Sequence, residues 1–163
     1  LEECRALMNQ ERAILGYPAG KRLHFKVHGK TEAIASILQK HKDLIEYMEN
    51  VDNLWIAKTF DVSNPGGLLI LTSGSIQVRT SMEDADLGKA EENVQKQIKL
   101  LQKEVDRTQQ KLGNPDFVAK APPDVLTEHR ERLQRESHMI QLFQQALDQI
   151  KLYTLERTRI EHP

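Results

Sequence analysis

Basic residues recur at helical spacing in the second half of the chain, and their chemistry suits contact with phosphate groups. Lys96, Lys99, Lys103 and Arg107 are separated by three, four and four residues, which places them on one face of a helix. Such side chains contact phosphates without reading base sequence. The candidate RNA-binding residues are these four and three later arginines: Arg130, Arg132 and Arg135.

An ordinary solvated helix face would show the same stripe of charges. Residues 87–155 hold eleven Lys/Arg against ten Asp/Glu, and Glu104 and Asp106 interrupt the stripe. The net charge of the whole chain is −1, so bulk charge indicates no nucleic-acid partner, and we expect no DNA contact. From these residues alone, an RNA contact and a solvated face both stay open.

Other patterns that could support metal binding, catalysis or membrane insertion are incomplete. His24 and His28 flank Lys26 on a predicted strand without a third ligand, so we expect surface histidines and no metal. Cys4 is the only cysteine and lies on an apolar helical face, which predicts a buried, inert thiol. No phosphate-binding glycine motif occurs, and no apolar run is long enough to span a bilayer. We therefore expect no catalytic site, no cofactor and no membrane partner in these residues.

Two apolar seams predict that an antiparallel pair of helices carries the basic stripe. Apolar residues recur every three or four positions in both segments, which is heptad spacing. The first seam is Val94, Ile98, Leu101, Val105, Thr108 and Leu112, and the second is Leu126, His129, Leu133, Glu136, Ile140, Phe143, Leu147, Ile150 and Thr154. We expect the polar seam residues His129 and Glu136 to set the register by pairing with Thr108 or with Lys and Gln side chains of the first helix.

The segment between the seams, LGNPDFVAKAPPDVL at 112–126, excludes one continuous helix. Gly113 suits the position just after a helix, and Pro122 or Pro123 suits the first turn of the next one. The pair Phe117 and Val118 is apolar although it lies at a tip that should face water.

We expect Phe117 and Val118 to cover Leu112 and Leu126 at the end of the seam, and the alternative is a tip that binds a partner. The predicted structural residues of the tip are therefore Gly113, Phe117, Val118 and Pro122.

The first half of the chain predicts a small α/β module. Alternating apolar residues predict strands at 22–29 and 53–60, and residues 68–78 predict a hairpin that turns at Ser73 and Gly74. Thr31 predicts the N-cap of one intervening helix. The side chains expected on its buried face are Ile34, Ile37, Leu38, His41, Leu44, Ile45 and Met48, and those expected to be buried in the second strand are Leu54, Trp55, Ile56 and Phe60.

The predicted fold class is α+β: a small β-α-β-β module followed by a long antiparallel α-helical hairpin, a coiled-coil arm. We expect a helical lead-in at 1–20, the module at 21–82, the arm at 83–155 and a C-terminal tail at 156–163. The short tip favours a monomer whose arm folds back on itself, with a domain-swapped dimer as the alternative.

The tip resembles the C-terminal arm of the valyl-tRNA synthetase family. The family pattern is close to Asn-x-x-Phe-Val-x-Lys-Ala-Pro-x-x-Val, and it is met here by Asn114, Phe117, Val118, Lys120, Ala121, Pro122 and Val125. The order of lead-in helix, module and arm is also similar to that family's C-terminal region. The resemblance implies that the lead-in at 1–20 comes from the anticodon-binding region, because RALMN at 5–9 loosely fits the family's Arg-x-x-Met-Asn-like stretch in the helix that leaves that region. Residues 75–94 depart from it, because Arg79, Glu83 and Asp84 stand where the family has a more apolar strand.

The resemblance implies a class I aminoacyl-tRNA synthetase that attaches valine to its tRNA with ATP and Mg. The HIGH and KMSKS motifs of such enzymes do not occur here, so this chain would be a tRNA-binding appendage of the ligase, without a cofactor of its own. The implied contact is the outer corner of valine tRNA, where the D- and T-loops meet. The implied location is the cytoplasm, with a mitochondrion or plastid as alternatives.

A different class of function also fits these residues: a coiled-coil module that binds another protein and has no RNA role. A purely structural spacer is a third reading. Salt dependence separates them, because an RNA contact weakens steeply with salt and a helix-seam protein contact tolerates it.

Overall fold

The first half of the molecule is a four-stranded sheet with helices on one face, and the second half is a long helical arm. A computed structural model describes residues 1–58 and 66–161. Its elements in chain order are α1 (Glu2–Leu15), β1 (Leu23–Gly29), α2 (Glu32–Lys40), α3 (Lys42–Met48), β2 (Val51–Ala57), β3 (Leu68–Thr72), β4 (Ile76–Ser81), α4 (Leu87–Leu112), α5 (Pro115–Lys120) and α6 (Pro123–Glu161). The α+β fold class and the order of the module and arm are confirmed.

The sheet has the strand order β2-β1-β4-β3. The strands β1 and β2 are parallel, while β4 pairs antiparallel with both β1 and β3. Side chains alternate between the two faces, so one face is almost wholly apolar and buried under the helices. Its central side chains are Phe25, Val27, Leu54, Leu69, Leu71 and Val78.

Helix α1 packs into the same core as the sheet. It ends at Gly16, whose φ of 70° is the left-handed conformation that suits glycine. Cys4, Leu7 and Met8 are buried in this core, and burial raises the pKa of the Cys4 thiol to about 11. A thiol with that pKa is protonated at neutral pH and is a poor nucleophile, in agreement with the prediction of an inert cysteine.

Two charged residues of α1 are buried beside the sheet. The Arg12 guanidinium donates to the carbonyl oxygens of Pro18, Lys21 and Glu49 at 3.1, 2.6 and 3.0 Å, and so ties the loop after α1 to the end of α3. Glu11 is fully buried and accepts one hydrogen bond, from the Leu71 amide at 3.3 Å. Burial raises the pKa of Glu11 well above its usual value, because the charged carboxylate loses its hydration.

The single helix predicted after Thr31 is two helices. The Thr31 hydroxyl accepts from the Ile34 amide, as expected of an N-cap. The chain then breaks at His41, where φ is −106° and ψ is 13°. The break rotates α3 relative to α2, so the prediction of one continuous buried face was wrong for three of its residues, which are about half exposed: Ile37, Leu44 and Met48.

Two predictions about the opposite face of the sheet were also wrong. Trp55 is 63% exposed, because alternation along β2 directs Leu54 to the core and its neighbour to the other side. His28 is buried rather than on the surface. The expected burial of Phe60 falls on a residue outside the described ranges.

Helix α6 is bound to the edge strand β3 by a glutamine that hydrogen-bonds as a neighbouring strand would. The Ile70 amide donates to Gln149 Oε1 at 2.7 Å, and Gln149 Nε2 donates to the Ile70 carbonyl oxygen at 2.6 Å. Beside this pair, Phe143, Ala146 and Ile150 bury their side chains in the core of the module. Helix α6 runs on to Glu161, past the end expected for the arm at residue 155. Over residues 1–58 and 66–161, no helix combines the length and the apolar character needed to cross a membrane.

We predict that Glu11→Gln flattens the pH dependence of stability. The pKa of Glu11 is higher in the fold than its ordinary value of 4.5. The folded state therefore holds an extra proton above that value, and the free energy of unfolding falls as pH rises through the folded pKa. Glutamine keeps an acceptor for the Leu71 amide but carries no titrating proton. Urea unfolding between about pH 5 and pH 8 should give a smaller slope for the variant, and equal slopes would contradict the prediction.

We predict that Gln149→Ala lowers the free energy of unfolding by about 1–3 kcal/mol, because two hydrogen bonds to the backbone of β3 are lost. Gln145→Ala is the matched control, since Gln145 is exposed on the same helix and should change stability by less than about 0.5 kcal/mol. Urea denaturation measures both. A loss no larger than that of the control would show that the Gln149 contact does not stabilise the docking of α6.

Candidate nucleic-acid interface

The basic residues lie on an antiparallel pair of helices whose apolar seam is buried. Helix α4 has 26 residues and α6 has 39, so the paired part of the arm is roughly 40 Å long. The seam residues predicted from heptad spacing are buried or half-buried throughout both helices, with Val94, Val105, Ile140 and Ile150 among the most enclosed. The Asp86 side chain caps the start of α4 by accepting from the Lys89 amide at 3.1 Å.

The tip contains a short helix, α5, which the sequence analysis did not predict. Asn114 caps α5 by accepting from the Asp116 amide at 3.0 Å, and Pro123 begins α6 as expected for a proline in the first turn. Gly113 does follow α4, but its φ of −83° is right-handed, so the left-handed conformation that a glycine makes available is not used there. The chain instead enters α5 directly.

Phe117 contacts the return helix at the tip. Its ring meets that of His129 edge to face, with 5.6 Å between the ring centroids and an interplanar angle of 66°. Phe117 and Val118 are half-buried. The aromatic contact therefore favours a structural role for Phe117, and it gives His129 a partner on α5 rather than the expected one on α4.

Lys96, Lys99 and Lys103 are exposed on the outer face of α4. Among the residues that the structure describes, none of the three has an ion-pair partner. Lys96 lies nearest the module, at the rim of a cavity of about 530 Å³ that is also lined by Gln10 and Phe143. These lysines present uncompensated positive charge to solvent, which is the arrangement that phosphate contacts need.

Glu104 ties two of the candidate arginines together across the arm. Its carboxylate lies 3.2 Å from Arg107 on α4 and 3.4 Å from Arg132 on α6. Arg132 also contacts Glu136 at 2.7 Å, so Glu136 pairs within its own helix and not with α4 as expected. The sequence marked Glu104 only as an interruption of the stripe, because the contact with Arg132 depends on how the two helices are aligned.

The other two arginines of the set, Arg130 and Arg135, are exposed on α6. Over residues 1–58 and 66–161, neither has an ion pair with a carboxylate. The seven candidates therefore fall into two groups: five whose charge is unpaired and two, Arg107 and Arg132, whose charge is shared with Glu104. The same described residues hold no group of three metal-ligating side chains.

The arm is similar in sequence to a known family of helical arms. Residues 86–151 match the family model described as the valyl tRNA synthetase tRNA binding arm. That range begins at the cap of α4 and ends within α6, so it covers the helical hairpin except for the last part of α6.

Among the relatives are three enzymes named valine–tRNA ligase. The one from Syntrophotalea carbinolica is 26% identical over 140 residues, which is 85% of this chain and 15% of the relative. The one from Listeria innocua is 30% identical over 131 residues, or 80% of this chain and 14% of the relative. The one from Carboxydothermus hydrogenoformans is 37% identical over 70 residues, or 42% of this chain and 8% of the relative. The chain thus spans 15% or less of the length of these three relatives.

We predict that Glu104→Gln strengthens RNA binding by a few-fold at low salt. The change removes the carboxylate that holds Arg107 and Arg132 and leaves both guanidinium groups free to meet phosphates. The matched control is Asp148→Asn, which removes the same charge from an exposed position near the base of the arm. Fluorescence anisotropy with a labelled tRNA measures both, and equal affinities of the two variants would contradict a local effect at Glu104.

Proposed function

We propose that this chain is the tRNA-binding C-terminal part of a valine–tRNA ligase, because residues 86–151 match the family model of the valyl tRNA synthetase tRNA binding arm. The observation that carries the proposal is that the matched range covers the helical hairpin except for the last part of α6. In this proposal the arm contacts the outer corner of valine tRNA, where the D- and T-loops meet.

The charges on the arm support a contact with the RNA backbone rather than with base edges. Five of the seven candidate side chains are exposed and lack an ion pair among the described residues, and lysine and arginine position a protein on phosphates without reading sequence. The proposed contact residues are Lys96, Lys99, Lys103, Arg107, Arg130, Arg132 and Arg135. Gly113, Phe117, Val118 and Pro122 would hold the shape of the tip.

The module gives the arm a fixed base in this proposal. Helix α6 passes without a break from the tip into the core beneath the sheet, where Phe143, Ala146 and Ile150 are buried. A tRNA that binds along α4 is therefore held at a set position relative to the module and to whatever the module is attached to.

The ligase reaction itself would belong to parts of the protein outside these residues. There, ATP with Mg would activate valine for transfer to the tRNA, while this chain contributes tRNA affinity and positioning. The same proposal implies a cytoplasmic protein, or one in a mitochondrion or plastid, and a monomeric arm that folds back on itself.

We predict that charge reversal of Lys96, Lys99 and Lys103 to Glu strongly weakens the binding of valine tRNA and makes it less sensitive to salt. Each lost phosphate contact should lower the slope of log affinity against log salt by about one. The measurement is anisotropy with a valine tRNA transcript at two salt concentrations. Competition with a minihelix that lacks the D arm tests the site on the tRNA, and the minihelix should bind more weakly.

The matched control reverses three lysines away from the outer face of α4, namely Lys30, Lys40 and Lys151, which are also exposed. This control has the same net charge as the first variant and should keep most of the affinity. Equal losses in the two variants would point to non-specific attraction. Binding that is insensitive to salt would contradict the proposal and favour a protein partner on the coiled coil.

A further inference from the structure

The sheet has a second face, opposite the core, with a composition unlike the first. Across its centre, Trp55, Lys26, Arg79 and Ile70 lie side by side, one from each strand. Along the regular pairs of the described strands, the residues on this face are His24, Lys26, His28, Asn53, Trp55, Ala57, Leu68, Ile70, Thr72, Gln77, Arg79 and Ser81, and none of them is acidic; the one acidic residue of β2, Asp52, lies at the bulge. The half of this face formed by β1 and β2 is open to solvent at His24, Lys26 and Trp55, and we call it the Trp55 surface.

Trp55 is the most unusual residue of this surface. Its side chain is 63% exposed, although tryptophan is on average a highly buried residue. It stands on an edge strand, with the Lys26 position directly beside it. An exposed ring on a rigid strand offers a planar stacking surface at little cost in side-chain entropy.

The charge around Trp55 favours an anionic ligand. Lys26 and His24 are exposed donors on the same face. The carboxylate of Asp52, which neighbours this strand region, is paired with Arg22 at 2.5 Å, and Glu32 is paired with Lys58 at 3.1 Å. Within residues 1–58 and 66–161, Lys26 therefore has no ion pair with either of these carboxylates.

We propose that the Trp55 surface binds an unpaired nucleotide of RNA, with its base stacked on the Trp55 ring and its phosphate near Lys26. Sheet faces that combine aromatic rings with basic side chains suit single-stranded RNA, because every base has a face to stack and every nucleotide carries a charge. The inference takes RNA as the ligand from the proposed function, but it assigns a contact on the module that is separate from the arm.

A docked protein domain fits this surface less well. A protein interface has an apolar centre, whereas four of the five neighbours of Trp55 on its own face are polar: Lys26, His24, His28 and Asn53, with Ala57 as the fifth. The exposed apolar side chains of the module lie instead on α2 and α3, over the other face of the sheet: Ile37, Leu44, Tyr47 and Met48.

The test uses the only tryptophan of the chain, since its emission reports on this surface alone. Titration with a single-stranded ribo-oligonucleotide should quench Trp55 emission to saturation, and an RNA duplex of the same length should quench it less. By anisotropy, Trp55→Ala should bind the single strand about tenfold more weakly. Trp55→Phe, which keeps a ring, should retain most of the affinity.

Two controls separate this proposal from others. Tyr47→Ala removes an aromatic ring that is 87% exposed on the other side of the module, and it should leave binding unchanged. The arm variant with Lys96, Lys99 and Lys103 changed to Glu should still show quenching by the oligonucleotide. Absence of quenching in the unaltered chain, while its tRNA binding still depends on the arm lysines, would overturn the Trp55 proposal alone. If the oligonucleotide quenches Trp55 emission but tRNA binding does not depend on those lysines, the Trp55 proposal holds and the proposed role of the arm is overturned.

Discussion

The contact between α6 and the edge strand β3 holds the two halves of the molecule in one arrangement. One helix supplies half of the arm seam and then, without a break, part of the core of the module. The paired hydrogen bonds between Gln149 and the Ile70 backbone satisfy an amide and a carbonyl group on the edge of the sheet. They also fix the point along α6 at which the helix leaves the arm and joins the module. The direction of the arm follows from this contact.

The positions of the charged side chains on the arm, rather than its net charge, decide which positive charges face solvent. Acidic and basic residues nearly balance along it, yet Lys96, Lys99 and Lys103 face solvent together while Glu104 is occupied by two arginines. An ion pair between exposed groups contributes little to stability. The more important effect of the Glu104 cluster is therefore on which positive charges stay available to a ligand.

The sequence predicted the features that depend on local periodicity. The two seams, the hairpin of β3 and β4, the cap at Thr31 and the proline in the first turn of α6 all follow from patterns within one segment. The predictions from sequence were wrong where a residue's environment depends on how separate segments pack against each other.

The break at His41, the exposure of Trp55 and the burial of His28 depend on strand order and on which face the helices cover. The Glu104–Arg132 contact depends on helix alignment in the same way. The contact residues for RNA remain a prediction, since a periodic stripe of lysines fixes a face of the helix and not its ligand.

The uninterrupted seam makes the arm a stiff lever. With about 40 Å between base and tip, a tilt of about 5° at the base moves the tip by roughly 3–4 Å, the length of a hydrogen bond. A small error where α6 meets the sheet is therefore magnified at the far end, and a force applied at the tip is felt mostly at the base. The position of the tip therefore depends on a few atoms around Ile70 and Gln149, at the opposite end of the arm.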